Sequence, residues 1–491
     1  MPIVLPFMQR EQARTLVPGS GVTPDTGSPL WWVYRLTNKI NREIVGTVEQ
    51  QTDGVLVQRV GLGKLQRYYD GEHDLPWVGD REVRQEFLKM LERSRSNFMR
   101  IVANVPAERL VVQGLRLPND AESADDESWD IWLRSSLDFW APAAFKAAFI
   151  QRRAFLSVWY ADGARNRARI AVEPADECIV EYEPGDRSRR AAGLKQFTDE
   201  WTGRTHARLF TPSRTHRFEW RRAEGGPHFG WYEIENPQPN PLGVVPLVPL
   251  VNQPSTHRDG VSELEDVLPV QDRINQTLFN RQVAEHLSAF RQKWATGLDI
   301  PVDPDTGETI QPFKAALESL WISGDPATKF GQFDSVDLAN YHQTIEQDLE
   351  HLSVLSRTPR HVFMHQGQAP SGDAMKSDEA GLVAKVKGAQ RAFEPAIREA
   401  LTLARRIEGF ETPMMSEVVW GDPEWQTFAQ LVDGHVKMLQ AGISSLPYAR
   451  ENLGMSPATM RRVESEVMMA DLFRMVDDET ESAPVPAESD G

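Results

Sequence analysis

Leu382, Val386, Ala389, Phe393, Ile397, Ala400, Ala404 and Ile407 recur every three or four positions. That spacing is one apolar face of an α-helix, and so long a stripe can be covered only by an equally long apolar surface elsewhere in the chain. Ser371 is a suitable N-cap, and Asp373 puts a carboxylate in the first turn, where the helix dipole favours it. Pro395 falls well inside the stripe. It removes a backbone donor and presses on the carbonyl of Arg391, so a kink is expected there. Gly409 closes the run. The preceding stretch, RTPRHVFMHQGQAPSG (357–372), is rich in Pro, Gly, His and Gln and reads as a loop. A loop feeding a long bent helix suits a moving or threading part better than a catalytic pocket.

The remaining pattern is of the α+β class. Residues 1–28 form a Pro/Gly-punctuated arm. Leu30–Val45 reads as a helix ended by Gly46, and GLGKLQRYYDGEHDLPW (61–77) as a helix running into a turn. Glu82–Val112 is helical, with a break expected at Pro106. Trp129–Ala148 reads as an amphipathic helix with Trp132, Leu133, Leu137 and Trp140 on its buried side and a kink or split at Pro142. Short β-rich runs follow at Phe155–Tyr160, Arg169–Val172, Ile179–Tyr182, Leu194–Thr198, Ala207–Phe210 and His216–Trp220, as antiparallel strands would. A Pro-rich boundary (236–256) leads to a second long helical pattern, Ser262–Trp294, with Ser262 and Glu265 as a capping box and Pro269 in its first turns. Between Ala295 and Ser335, DPDTGET reads as a hairpin tip, PFKAALESL as a short helix and SGDPATKFG as a turn. Val336–Leu355 returns to helix. Beyond Gly409 come a strand-like piece within Thr412–Pro423, two or three helices, and an acidic tail of disordered composition.

Charge and motifs exclude more than they assign. With a net charge of −17, the chain is ill suited to holding nucleic acid tightly, although an acidic wall past which DNA slides is compatible with it. One cysteine, Cys178, rules out an internal disulfide framework and a cysteine-rich zinc site; beside Ile179 and Val180 it reads as a buried core thiol. The N-terminus has no secretory-signal pattern, and no apolar run is long enough to span a bilayer, so a soluble protein made in a cytoplasm is expected. GLGK (61–64) lacks the spacing and the Ser or Thr of a phosphate loop and reads as a plain turn. HVFMH (361–365) spaces two histidines as zinc ligands but lacks the glutamate of a metalloprotease. DPDTGE (303–308) places Gly307 where a calcium loop needs its third ligand. No nucleophile elbow occurs. No cofactor or metal is implied.

Six stretches, in order, carry a resemblance: YYDGEH (68–73), NPLGVVPLVPLVN (240–252), GVSELEDVLPVQDRINQT (260–277), RTPRHVF (357–363), SGDAMKSDEAGLVAKV (371–386) and VVWGDPE (418–424). Together the sequence resembles the portal proteins of tailed bacteriophages, those of long-tailed phages in particular. The resemblance implies a ring, usually of twelve subunits, at one capsid vertex of the virion, made in the host bacterial cytoplasm. The implied fold has an N-terminal arm (1–28), an α+β wing (29–259), stem helices (260–292 and 336–356) and a small α/β clip (293–335). A tunnel loop (357–372), a long kinked helix (373–408), a helical crown (409–472) and an acidic tail (473–491) complete it. DNA would pass Arg357, Arg360, His361, Gln366, Gln368 and Ser371 without sequence preference. Asp303, Asp305, Glu308, Lys314, Glu318 and Lys329 of the clip would dock partners, and Pro395 would kink the long helix. Implied partners are further copies of the chain, double-stranded DNA, the terminase large subunit, a head-completion adaptor, and the major capsid and scaffolding proteins. No membrane and no catalysis are implied, since in this family ATP hydrolysis belongs to the separate motor. Two other classes compete: a different capsid-associated or adaptor protein, and a metal-dependent nuclease built on His361 and His365.

Overall fold

Ser28 opens the first helix by accepting a hydrogen bond from the Trp31 N–H at 3.3 Å, with Pro29 at the first helical position, where its missing donor costs nothing. In this computed structural model the described residues are 24–50, 56–77, 85–117, 120–161, 167–222, 229–256, 259–289, 293–296, 328–332, 337–364, 372–410, 416–424 and single positions between 433 and 469.

The chain runs α1 (Pro29–Val45), β1 (Gly46–Gln50), β2 (Leu56–Val60), α2 (Leu62–Asp70), α3 (Gln85–Arg93) and α4 (Met99–Glu108). Next come β3 (Val112–Leu117), β4 (Asp120–Ala124), α5 (Asp126–Arg134) and α6 (Leu137–Gln151). A strand-rich stretch follows: β5 (Arg153–Tyr160), β6 (Ala168–Pro174), β7 (Cys178–Glu183), β8 (Asp186–Thr198), β9 (Thr205–Phe210), β10 (Arg214–Arg222), β11 (Phe229–Glu233), β12 (Gln238–Pro239) and β13 (Leu247–Val251). Then come α7 (Leu268–Ala289), β14 (Lys293–Thr296), β15 (Lys329–Gln332), α8 (Ala339–Ser356), α9 (Arg360–Phe363), α10 (Gly372–Glu408) and β16 (Glu417–Trp420). Two compact units divide it: residues 1–66, 103–265 and 370–491 form the first, 67–102 and 266–369 the second.

The first unit has two cores. In one, the stripe of α10 is buried as its periodicity requires, from Leu382 through Phe393 to Ala404. Its partners are α5, α6 and the antiparallel sheet β13-β5-β6. Phe393 lies flat on Phe145, ring centroids 5.5 Å apart, and tilted against Phe149. Burying each such ring contributes roughly 2–3 kcal/mol. The antiparallel sheet β16-β3-β4 adds Val418 and Leu115 to this core. The second core lies under α1, whose Val33, Leu36 and Ile40 meet Ile179, Leu194, Leu209 and Phe218 of the antiparallel sheet β11-β10-β9-β8-β7. Gly46 ends α1 at φ 93°, ψ 154°, a backbone region open only to glycine, and a Cβ there would lie 2.6 Å from the Arg59 carbonyl oxygen. Cys178 is wholly buried, and burial pushes its thiol well up.

Several local expectations give way. The helical pattern 82–112 breaks at 94–98 and not at Pro106, which sits in the last turn of α4, while Val112 already belongs to β3. Asn97 explains the restart, because its side-chain oxygen accepts from the Arg100 N–H at 3.2 Å. Pro142 does not split its helix either. The split lies at Ser135–Ser136, with Ser136 in the left-handed region (φ 53°), and Pro142 continues inside α6. That turn rotates the two helices apart in phase: Trp132 and Leu137 are buried, whereas Leu133 and Trp140 are exposed. Leu194–Thr198 is the end of a longer strand, β8. Gly63 and Lys64 lie in the first turn of α2 and form no loop. Ser262 and Glu265 do not cap the long helix, which begins at Leu268 with Pro269 in its first turn, and Trp294 belongs to β14. Ser262 instead donates to Ile150 O at 2.7 Å, and Glu265 pairs with the buried Arg152. α10 continues as one helix through Pro395.

Candidate functional site

In the second unit α7 and α8 pack on one another, and the chain between them passes through the antiparallel pair β14–β15, Lys293 opposite Gln332 and Thr296 opposite Lys329. Arg273 ties the helices together: its guanidinium donates to Asp348 Oδ1 from Nε at 3.1 Å and from Nη2 at 2.7 Å. Asp348 is buried while Arg273 stays exposed, so the bond is only partly shielded from the screening that weakens exposed pairs.

The far end of α8 turns into the stretch read as a loop. Arg357, at φ 52°, ψ 33°, is the left-handed C-cap of α8, and its N–H reaches back to the last turn. Ser353 holds the corner by donating from Oγ to Thr358 O at 2.7 Å while its own carbonyl accepts from the Thr358 N–H at 3.1 Å. Pro359 then starts α9, a single helical turn where a loop was expected. Phe363 rests against Phe98, centroids 6.4 Å apart, which anchors that turn.

Three expected contact residues therefore gather at one corner. Arg357 is exposed, Arg360 is half-buried and bonds Glu350 at 3.5 Å, and His361 is half-buried on α9. Gln366, Gln368, Ser371 and His365 lie outside the described residues, as do Asp303, Asp305, Glu308, Lys314 and Glu318 with the expected hairpin tip and short helix. Lys329 is described: it is exposed and opens β15, where the reading expected a turn. Among the described residues no three His, Cys, Asp or Glu gather as metal ligands, and no helix is long and apolar enough to cross a membrane.

Periodicity gave no sign of the buried polar network at the root of α7. Asn275 Oδ1 accepts from the Ser96 N–H (3.1 Å) and from Gln271 Nε2 (3.0 Å), which fixes its amide nitrogen toward His73 Nδ1 at 3.0 Å. His73 Nε2 faces the Tyr68 carbonyl at 3.0 Å. A carbonyl can only accept and an amide nitrogen can only donate, so the geometry requires neutral His73 with its proton on Nε2. Burial agrees, holding its pKa below the ordinary value. Tyr68 donates to Asp272 at 2.7 Å, and burial together with that carboxylate pushes the phenol far up. These residues come from YYDGEH and QDRINQT, so two of the resembling stretches meet in space. Others meet in the first unit. Lys385 bonds the buried Glu263 at 2.6 Å, and Asn252 bonds the same carboxylate at 3.0 Å.

The network organises structure and offers no nucleophile. The family described as "Phage portal protein, SPP1 Gp6-like" matches residues 55–457. The "Portal protein" of Mycobacterium phage L5 is 29% identical over 413 residues, which is 81% of this chain and 82% of that one. The "Portal protein" of Mycobacterium phage D29 is 30% identical over 390 residues, covering 75% and 78%.

Proposed function

The chain belongs to the SPP1 Gp6-like family of phage portal proteins and has the function of a portal, and from that premise we propose how its parts divide the work. Copies of the chain close into a ring, of twelve by family habit, at one vertex of the virion capsid. Double-stranded DNA is packaged and later ejected through its centre. α7 and α8 are the stem, the segment around β14 and β15 is the clip, and α10 is the long helix behind the tunnel loop. Residues 29–259 are the wing and 409–472 the crown.

The observation that carries this reading is the helical pair α7–α8, closed by β14–β15 and followed in the chain by the corner at Arg357, the turn α9 and then the 37-residue α10. Arg357, Arg360, His361, Gln366, Gln368 and Ser371 face the passing backbone, where positive and polar groups touch phosphates without reading bases. Asp303, Asp305, Glu308, Lys314, Glu318 and Lys329 form the docking rim for the terminase large subunit during packaging and for the head-completion adaptor afterwards. Pro395 bends the long helix. Portal proteins are structural proteins, and this chain positions DNA while the motor supplies the chemistry.

End-on class averages of the purified protein in the electron microscope test the architecture: rings with a hole at least as wide as a duplex are expected. Deleting Gln366–Gln368 is expected to leave rings intact and abolish packaging; normal packaging by that deletion would remove the loop from the mechanism.

A further inference from the structure

The second unit carries two apolar features that its own core leaves uncovered. His73–Trp77 runs along α7, and Gln276 clasps it at both polar groups of Trp77, accepting from its N–H at 2.8 Å and donating to its carbonyl at 3.3 Å. The backbone is thereby fixed, yet Trp77 is 80% and Leu75 50% exposed. Beside them Asp74, Pro76, Asp272, Arg273 and Gln276 complete an open groove of about 320 Å³. The other feature is on α8, where Val354 is 71% and Leu355 52% exposed, next to the exposed Arg357. No α8 residue lines the groove, so the two surfaces are distinct.

We propose that these surfaces are the two halves of one subunit contact: the Val354–Leu355 edge of one copy sits in the Leu75–Trp77 groove of the next. The inference rests on the ring reading and goes beyond it by naming the contact. A closed ring needs a heterologous interface, in which each copy offers two different and complementary patches. Both patches here are apolar, and their charges match. Arg357 borders the α8 edge, whereas the groove holds two carboxylates, Asp74 bonded to Arg67 and Asp272 bonded to Tyr68, beside Arg273, which is bonded to Asp348. A tryptophan held on a clamped backbone loses little freedom on binding, which is what makes such a residue an anchor.

Cysteine pairs test the contact in the full chain. Cys178 is the one native cysteine and is wholly buried, so introduced thiols report alone. With Leu75→Cys and Leu355→Cys together, a short bis-maleimide is expected to give a ladder of covalent oligomers ending at the ring, and each single variant to remain a monomer on a denaturing gel. Trp77→Ala is expected to keep the parent's circular dichroism and melting while raising the half-assembly concentration at least tenfold. Three results overturn the contact and leave the ring standing: rings without a ladder, a ladder from either single variant, or undiminished assembly of the Trp77 variant. A chain that stays monomeric at every concentration, scaffold present, overturns both.

Discussion

His73 is held neutral by two neighbours that cannot change roles, the Tyr68 carbonyl and an Asn275 amide whose oxygen is already engaged. Asp272 pulls its pKa upward and Arg95 downward, and burial outweighs both. The unfolded chain takes up this proton near pH 6.5 while the folded one resists, so the unfolded state holds more protons below that pH. Stability tied to His73 is thus complete above about pH 6.5 and declines as the pH falls toward the depressed folded value. Urea midpoints at pH 7.5 and 5.5 are expected to differ more for the parent than for His73→Gln, which keeps a donor but does not titrate; equal differences would refute a His73 held neutral by the fold. Asp176 and Glu177, whose pKa values burial raises, act in the opposite direction in both proteins and cancel in the comparison. Arg357 offers a second test. A non-glycine residue in the left-handed region costs about 1 kcal/mol, so Arg357→Gly is expected to raise folding stability by up to ~1 kcal/mol while weakening passage of DNA. A loss of stability in chemical denaturation would mean that the guanidinium holds the corner in place. Neither property was legible from sequence: His73 and Asn275 stand in separate stretches, 202 positions apart, and only the fold brings them together.

Elements were easiest to read where a single periodicity ran uninterrupted. The stripe of α10 emerged from spacing, because burial of one face is what the spacing records, while α1 emerged from its mix of apolar and polar residues and β5 to β10 as β-rich runs between turn residues. Breaks were harder. Prolines 106 and 142 looked like interruptions and lie inside helices, whereas the actual interruptions rest on an Asn97 side-chain bond and a left-handed Ser136. Both are decided by side-chain geometry that an apolar pattern does not carry. The same holds for the loop reading of 360–363, where Pro359 began a helical turn. Phe393 measures how much of the first unit depends on α10. Because it is fully buried against Phe145 and Phe149, Phe393→Ala is expected to cost about 3–5 kcal/mol in urea unfolding. A loss below ~1 kcal/mol would mean that the helix is not the lid of this core. Lys385→Met, which strands the buried Glu263 among amide donors, is expected to cost about 3 kcal/mol, and adding Glu263→Gln to recover most of it. A double-mutant cycle without coupling would separate the two residues.

For the molecule as a whole, charge and composition indicated a chain that does not grip DNA, and the resemblance supplied what a chain of that kind is for. A net charge of −17 repels phosphates at long range. Assembled protein is therefore expected not to retain a short duplex in gel retardation at physiological salt, and firm retention there would contradict passage by sliding. The sequence could not show that the first unit is assembled from three separate stretches, 1–66, 103–265 and 370–491. That arrangement bears on how the chain is made. α6 ends at Gln151, but the helix that covers it does not begin until Gly372. At about 5–20 residues per second, a ribosome needs tens of seconds to cross that interval. Throughout it, Phe145, Phe149 and the apolar faces of β5 and β6 wait on the nascent chain without their cover. Growing chains of this protein are natural clients for chaperones, and translation halted before α10 yields a polypeptide bound for aggregates.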